Sequence, residues 1–128
     1  MTEQNRTYPR SEKLKSRKLI QDLFAKGKSV SVAPVKCLFL LKPEGMNELI
    51  QTGVGVSARN FRKSVQRNRI KRMMREAYRN NNHSLHQALS QQQTSLALFM
   101  LYLGKDMPQW DELQTAVKLA LNKLEKLL

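Results

Sequence analysis

Leu96 to Leu103 is an unbroken run of eight apolar residues, closed by Gly104. It is far too short to span a bilayer, which takes about 20 residues, and too uniformly apolar for a strand with one wet face. Ser95 to Leu103 is therefore predicted as a strand buried on both faces. Such a strand dictates a layered fold, because something else in the chain must cover each side of the sheet that contains it.

The remaining periodicities name the covers. Leu19, Ile20, Leu23 and Phe24 recur at helical spacing between a capping Ser16 and a stop at Gly27, which predicts a short first helix. In the segment from Ser64 to Asn80, Ile70, Met73, Met74, Ala77 and Tyr78 form one helical stripe, although Val65 lies off it. Trp110, Leu113, Ala116, Val117, Ala120, Leu121, Leu124 and Leu128 form another, on a final helix. Val35 to Leu41, between Pro34 and Pro43, is predicted as a strand. Leu49 to Val56 reads as a second, antiparallel strand, in which Gly53 and Gly55 suggest a bend or a close backbone approach. Ser84 to Gln93 reads as a polar connector with at most one helical turn, at Leu85, Ala88 and Leu89. The fold class is α+β, and 128 residues fit one domain, 1–128. Residues 1–13 lack an apolar period and read as a basic flexible N-terminal arm carrying Arg6, Arg10 and Lys13.

Charge narrows the function. Against 10 acids stand 23 lysines and arginines, a net +13, well beyond what solubility asks of a small domain. Residues 59–79 alone carry nine basic residues and only Glu76 as an acid; residues 6–28 carry a net +6, and everything else sums to −1. A solvated helix usually interleaves acids with its bases, so the face bearing Asn68, Lys71, Arg72, Arg75 and Arg79 is predicted to meet a polyanion. Seven arginines to two lysines in that block favour RNA, where guanidinium forks onto phosphate and stacks on bases.

Other chemistries find little support. Cys37 is the one cysteine, which excludes an internal disulfide and a paired-cysteine zinc site and suits a reducing, cytoplasmic setting. The start lacks the apolar core of a signal peptide, and no membrane association is expected. His83 and His86 stand in a polar stretch with no acid cluster, and no nucleophile elbow, phosphate-cradling loop or paired-carboxylate motif appears. Phe24, Phe39 and Phe99 lie on element stripes and read first as core residues; Phe61, flanked by Asn60 and Arg62, is set apart as a base-stacking candidate.

The run Arg67-Asn68-Arg69-Ile70-Lys71-Arg72-Met73-Met74-Arg75-Glu76-Ala77-Tyr78-Arg79, preceded by Val54-Gly55-Val56-Ser57, resembles the signature of bacterial ribonuclease P proteins. The similarity extends over nearly the whole chain. It implies an αβββαβα fold with a central mixed sheet and a left-handed βαβ crossover, as in the second domain of ribosomal protein S5. Only three strands are read from the residues, so the fourth would come from splitting Leu49 to Val56 and its flanks, or from an unresolved hairpin. The resemblance also implies a subunit of an endoribonuclease holoenzyme in which RNA and its magnesium ions remove the 5′ leader of precursor tRNA. The protein would then hold no cofactor and no catalytic residue of its own.

By the same resemblance, Arg67, Asn68, Arg69, Lys71, Arg72 and Arg75 would bind the catalytic RNA subunit. Phe24, Lys36, Phe39 and Phe61 are the candidates for the precursor-tRNA leader, and the protein would act as a monomer in a one-to-one complex with the RNA. The chain departs from the family pattern at Ile20, where an aromatic is often found, and in a longer stretch between Ser57 and Arg67, which leaves Arg62 and Lys63 without a family role. Three rivals remain: a ribosome-type structural RNA-binding protein without a role in cleavage, a helix-turn-helix DNA binder, and a protein nuclease. The second is opposed by a strand where a preceding helix is needed, the third by the missing carboxylates.

Overall fold

The apolar run is the strand β4 (Leu96–Tyr102), and it lies inside a four-stranded sheet, with a neighbour on each edge. The computed structural model describes residues 17–42 and 48–128; the arm at 1–13 and the capping Ser16 lie outside them. The chain order is α1 (Arg17–Lys26), β1 (Lys28–Val32), β2 (Val35–Leu41), β3 (Ile50–Val56), α2 (Ser64–Asn81), α3 (His83–Gln91), β4 and α4 (Trp110–Lys126). The sheet order is β1-β2-β4-β3, antiparallel except for the parallel pair of β3 and β4.

Three expectations are corrected here. The fourth strand is β1, made of Lys28-Ser29-Val30-Ser31-Val32, and not a division of Leu49–Val56. Only Val30 and Val32 are apolar in it, which is too little for periodicity to register. The turn at Ala33 and Pro34 folds β1 onto β2, with Val32 opposite Val35, and this gives it a sheet edge to pair with. Second, β3 runs parallel to β4 and does not pair with β2. A strand as apolar as β4 hides both faces and must also satisfy its backbone on both edges, so it inserts between its two predecessors. Third, the polar connector contains a full helix, α3, which buries Leu85 and Leu89. Two leucines four apart suffice because tertiary packing, not propensity, carries a helix this short.

Strand alternation splits the side chains between two layers. Val35, Cys37 and Phe39 of β2 and Leu96, Leu98, Met100 and Tyr102 of β4 point to one face. There they meet Ile70, Met74, Ala77 and Tyr78 of α2 and the stripe of α4 from Leu113 to Leu124. Among the described residues the other face receives only α1, which seats Leu19 and Leu23 on Ala97, with Leu40 and Phe99 at the margin. Fully burying one such aliphatic side chain stabilises by roughly 1.5–3 kcal/mol, so the large layer holds most of the stability. One short helix cannot cover a four-stranded sheet, and the described residues leave part of this second face open.

Candidate nucleic-acid interface

The inward stripe of α2 fixes what the helix shows outward. With Ile70, Met74, Ala77 and Tyr78 buried, Asn68, Arg69, Arg72 and Arg75 are exposed and Lys71 is half-buried. Val65 stands 77% exposed on the same outer side, which explains its place off the stripe. Glu76 is engaged by Arg79 at 3.1 Å. Among the described residues Arg69, Arg72 and Arg75 have no acidic partner, so no ion pair there neutralises their field.

Arg67 differs from its neighbours. Its Nη1 donates to the carbonyl oxygens of Phe61 at 2.7 Å and Arg62 at 2.8 Å, tying the first turns of α2 to the loop that precedes them. That loop is further fixed by the Phe61 amide on the Ser57 carbonyl at 3.1 Å and by Asn60 Nδ2 on the Gly104 carbonyl at 3.3 Å.

The open face of the sheet makes a second surface. Ser31, Lys36, Leu101 and Gly55 lie side by side across the four strands, and Ser29, Leu38, Phe99 and Gly53 form the next row. Gly55 leaves room for its neighbours, since a Cβ there would stand 3.0 Å from the Phe99 ring. Phe24 projects from α1 over this face, 55% exposed, with its ring edge-on to Phe99 at 5.6 Å between centroids. The result is a shallow trough with aromatic rings at the α1 side and Lys36 farther along β2. Stacking planes and a cation are what single-stranded RNA engages.

Of the four leader candidates, the structure places Phe24 and Lys36 on this face and the other two elsewhere. Phe39 is 2% exposed and Phe61 4% exposed, both in the core beneath the sheet, and neither offers a ring face to a base. Phe39 is three residues from Lys36, and an odd separation on a strand places two side chains on opposite faces. Phe61 turns inward against Tyr102, with centroids 6.0 Å apart, while Arg67 holds its carbonyl. Leu38, Phe99 and Leu101 belong to the trough but were not read from the sequence. The signal was available for Phe99, which alternation along β4 separates from Leu98 and Met100.

The remaining candidates for chemistry are quiet. Burial pushes the Cys37 thiol up to about 12, as for an inert core thiol. His86 lies against the Tyr78 hydroxyl, Nε2 to Oη 3.3 Å, and burial, with His83 nearby, holds it below its usual value. No group of three or more His, Cys, Asp or Glu able to hold a metal ion occurs among the described residues. Nor, among them, is any helix long and apolar enough to cross a membrane.

The family model for ribonuclease P matches residues 8–125. The chain belongs to the ribonuclease P protein family. It is 30% identical over 115 residues to the ribonuclease P protein component of Porphyromonas gingivalis, covering 90% of this chain and 84% of that one. To that of Chlorobium phaeobacteroides it is 32% identical over 117 residues, covering 83% of this chain and 80% of that one. Among solved structures, the ribonuclease P protein of Staphylococcus aureus superposes with a TM-score of 0.69 at 17% identity, over 88% of this chain and 94% of that one. That of Thermotoga maritima gives 0.62 at 20% identity, over 90% and 96%. The ribonuclease P fold is thus reached by a sequence that has diverged far from both. Membership makes the chain a component of an endoribonuclease that processes tRNA.

Proposed function

We propose that this protein binds the catalytic RNA of ribonuclease P through the outer face of α2, and the 5′ leader of precursor tRNA in the trough of the sheet. It thereby assists removal of the leader. The observation that carries the reading is the cluster of exposed Arg69, Arg72 and Arg75, without acidic partners among the described residues, on the helix whose sequence resembles the family signature. Charge of this density is costly for the free protein and is offset when phosphates replace their counterions. The trough supports the second half of the proposal, since it offers Phe24, Phe99 and Lys36 to a strand.

Cleavage itself is assigned to the RNA and its magnesium ions, with no catalytic group or cofactor held by the protein. Screening of phosphate repulsion between a ribozyme and its substrate is the contribution a small cationic protein can make. It would act as a monomer, one per RNA, in the cytoplasm. Reconstitution with a ribonuclease P RNA and a precursor tRNA is the test. Correct 5′ ends should appear at a lower magnesium concentration with the protein than without it. Tight RNA binding with no change in the magnesium requirement would instead favour a structural RNA-binding protein.

A further inference from the structure

The loop at residues 57–63 joins the two surfaces. It begins where β3 leaves the trough beside Gly55, and it ends at the first turn of α2. It exposes Arg59, Arg62 and Lys63, whose side chains have no hydrogen-bond or ion-pair partner among the described residues. Exposed basic side chains on a loop are ordinarily just solvated. This loop is unusual in how firmly its backbone is tied. The Arg59 amide donates to Ser57 Oγ at 3.2 Å and the Phe61 amide to the Ser57 carbonyl at 3.1 Å. Asn60 Nδ2 reaches the Gly104 carbonyl, 44 residues away in sequence, at 3.3 Å. The Phe61 ring is sunk in the core. Arg67 closes the loop from α2 with its two bonds to the carbonyls of Phe61 and Arg62.

Arg67 is the informative member. Donation from a guanidinium to neutral carbonyls is a strong, charge-assisted contact, and it turns the side chain back on its own chain. A cation used only to attract phosphate would gain nothing from that geometry. A cation used to hold a backbone rigid gains much, because a loop already in its bound conformation loses less entropy on binding.

We infer that loop 57–63 is a preorganised phosphate-binding surface, with Arg59, Arg62 and Lys63 as the contacts and Arg67 as the positioning residue that fixes it. The inference rests on the reading that this protein binds ribonuclease P RNA, and it removes Arg67 from the set of direct contacts. The phosphates belong to RNA that passes between α2 and the trough, either the RNA subunit or the precursor. Both are polyanions of one chemistry, and the experiment separates them.

Full-length variants Arg62→Ala, Arg67→Ala, the double variant and Asn60→Ala are titrated over a salt series in two arms. One arm uses the RNA subunit alone, the other precursor tRNA added to assembled holoenzyme. Hydrogen exchange of the Phe61 amide is followed in the free protein. Arg62→Ala should weaken one arm by about fivefold and lower its log-log salt slope by about one unit; the arm affected names the RNA. Arg67→Ala should speed exchange at Phe61 and weaken the same arm by a similar factor, and the double variant should be no weaker than the worse single one. Asn60→Ala, which alters no charge, should move exchange and affinity in the same direction.

Multiplying losses for Arg62→Ala and Arg67→Ala, with loop exchange unchanged, would make Arg67 a phosphate contact in its own right and overturn the inference. So would wild-type affinity in both arms when Arg59, Arg62 and Lys63 are all replaced by alanine. If Arg72→Ala and Arg75→Ala still weaken assembly in that case, the loop has failed and the functional reading stands. If they too are silent, the functional reading falls with it.

Discussion

Lys36 gives the cleanest probe of the trough because it is half-buried on the open face, opposite Leu101, and a change there disturbs little packing. Lys36→Ala should weaken precursor tRNA carrying a leader of about eight nucleotides by about 1 kcal/mol, since one contact in a wet groove is partly screened. Mature tRNA and the RNA subunit should be unaffected. Dissociation constants for short and long leaders at fixed salt and magnesium check this, and an equal loss for both would move the leader off this face. His86 supports a different measurement. Burial first, and His83 second, lower its proton affinity in the folded state below the ordinary 6.5. The unfolded chain therefore takes up the proton first as pH falls, so stability present above about 6.5 is lost progressively below it. Melting temperature should drop between about pH 7.5 and pH 5.5, and His86→Gln should flatten that part of the profile.

At the scale of elements, α2 makes the most exposed claim. Arg72→Ala and Arg75→Ala should each lower the log-log salt slope of RNA-subunit binding by up to about one unit, with little change in melting temperature because both side chains are exposed. Unchanged slope and affinity in a filter-binding or fluorescence titration would reduce the helix to a solvated face. This helix was legible in the sequence because one residue pattern specifies both its buried and its charged side. The same was true of β4 and α4, whose apolar stripes are long. Elements with few apolar residues were not legible: β1 owes its existence to pairing with β2, and α3 to what Leu85 and Leu89 find in the core. The partner of β3 was hidden for a different reason, since strand order is set by which strand most needs two neighbours. In the candidate site, the outward face of α2 could be read by rotation alone. The inward turn of Phe61 could not, because its ring packs on Tyr102 of β4, a contact distant in sequence that no spacing announces.

The whole molecule, taken without RNA, should cleave no precursor tRNA at any magnesium concentration. A nuclease-treated preparation that still makes the correct 5′ end would place catalysis in the protein and sink the division of labour proposed above. The sheet order carries a further consequence, for synthesis. β2 and β3 are both made before β4 but are not neighbours; the strand that joins them, β4, follows α2 and α3 and leaves the ribosome last of the four. Non-local pairings of this kind are slow to form, and a nascent chain ending before Leu96 can pair β1 with β2 but has nothing to join β2 to β3. During that interval the cationic residues of α2 are already outside the ribosome, on a helix with no completed sheet beneath it. A chain stalled there is a loose polycation, able to adhere to any nucleic acid nearby, and only arrival of the last strand and of α4 behind it converts it into a shape that one RNA can recognise.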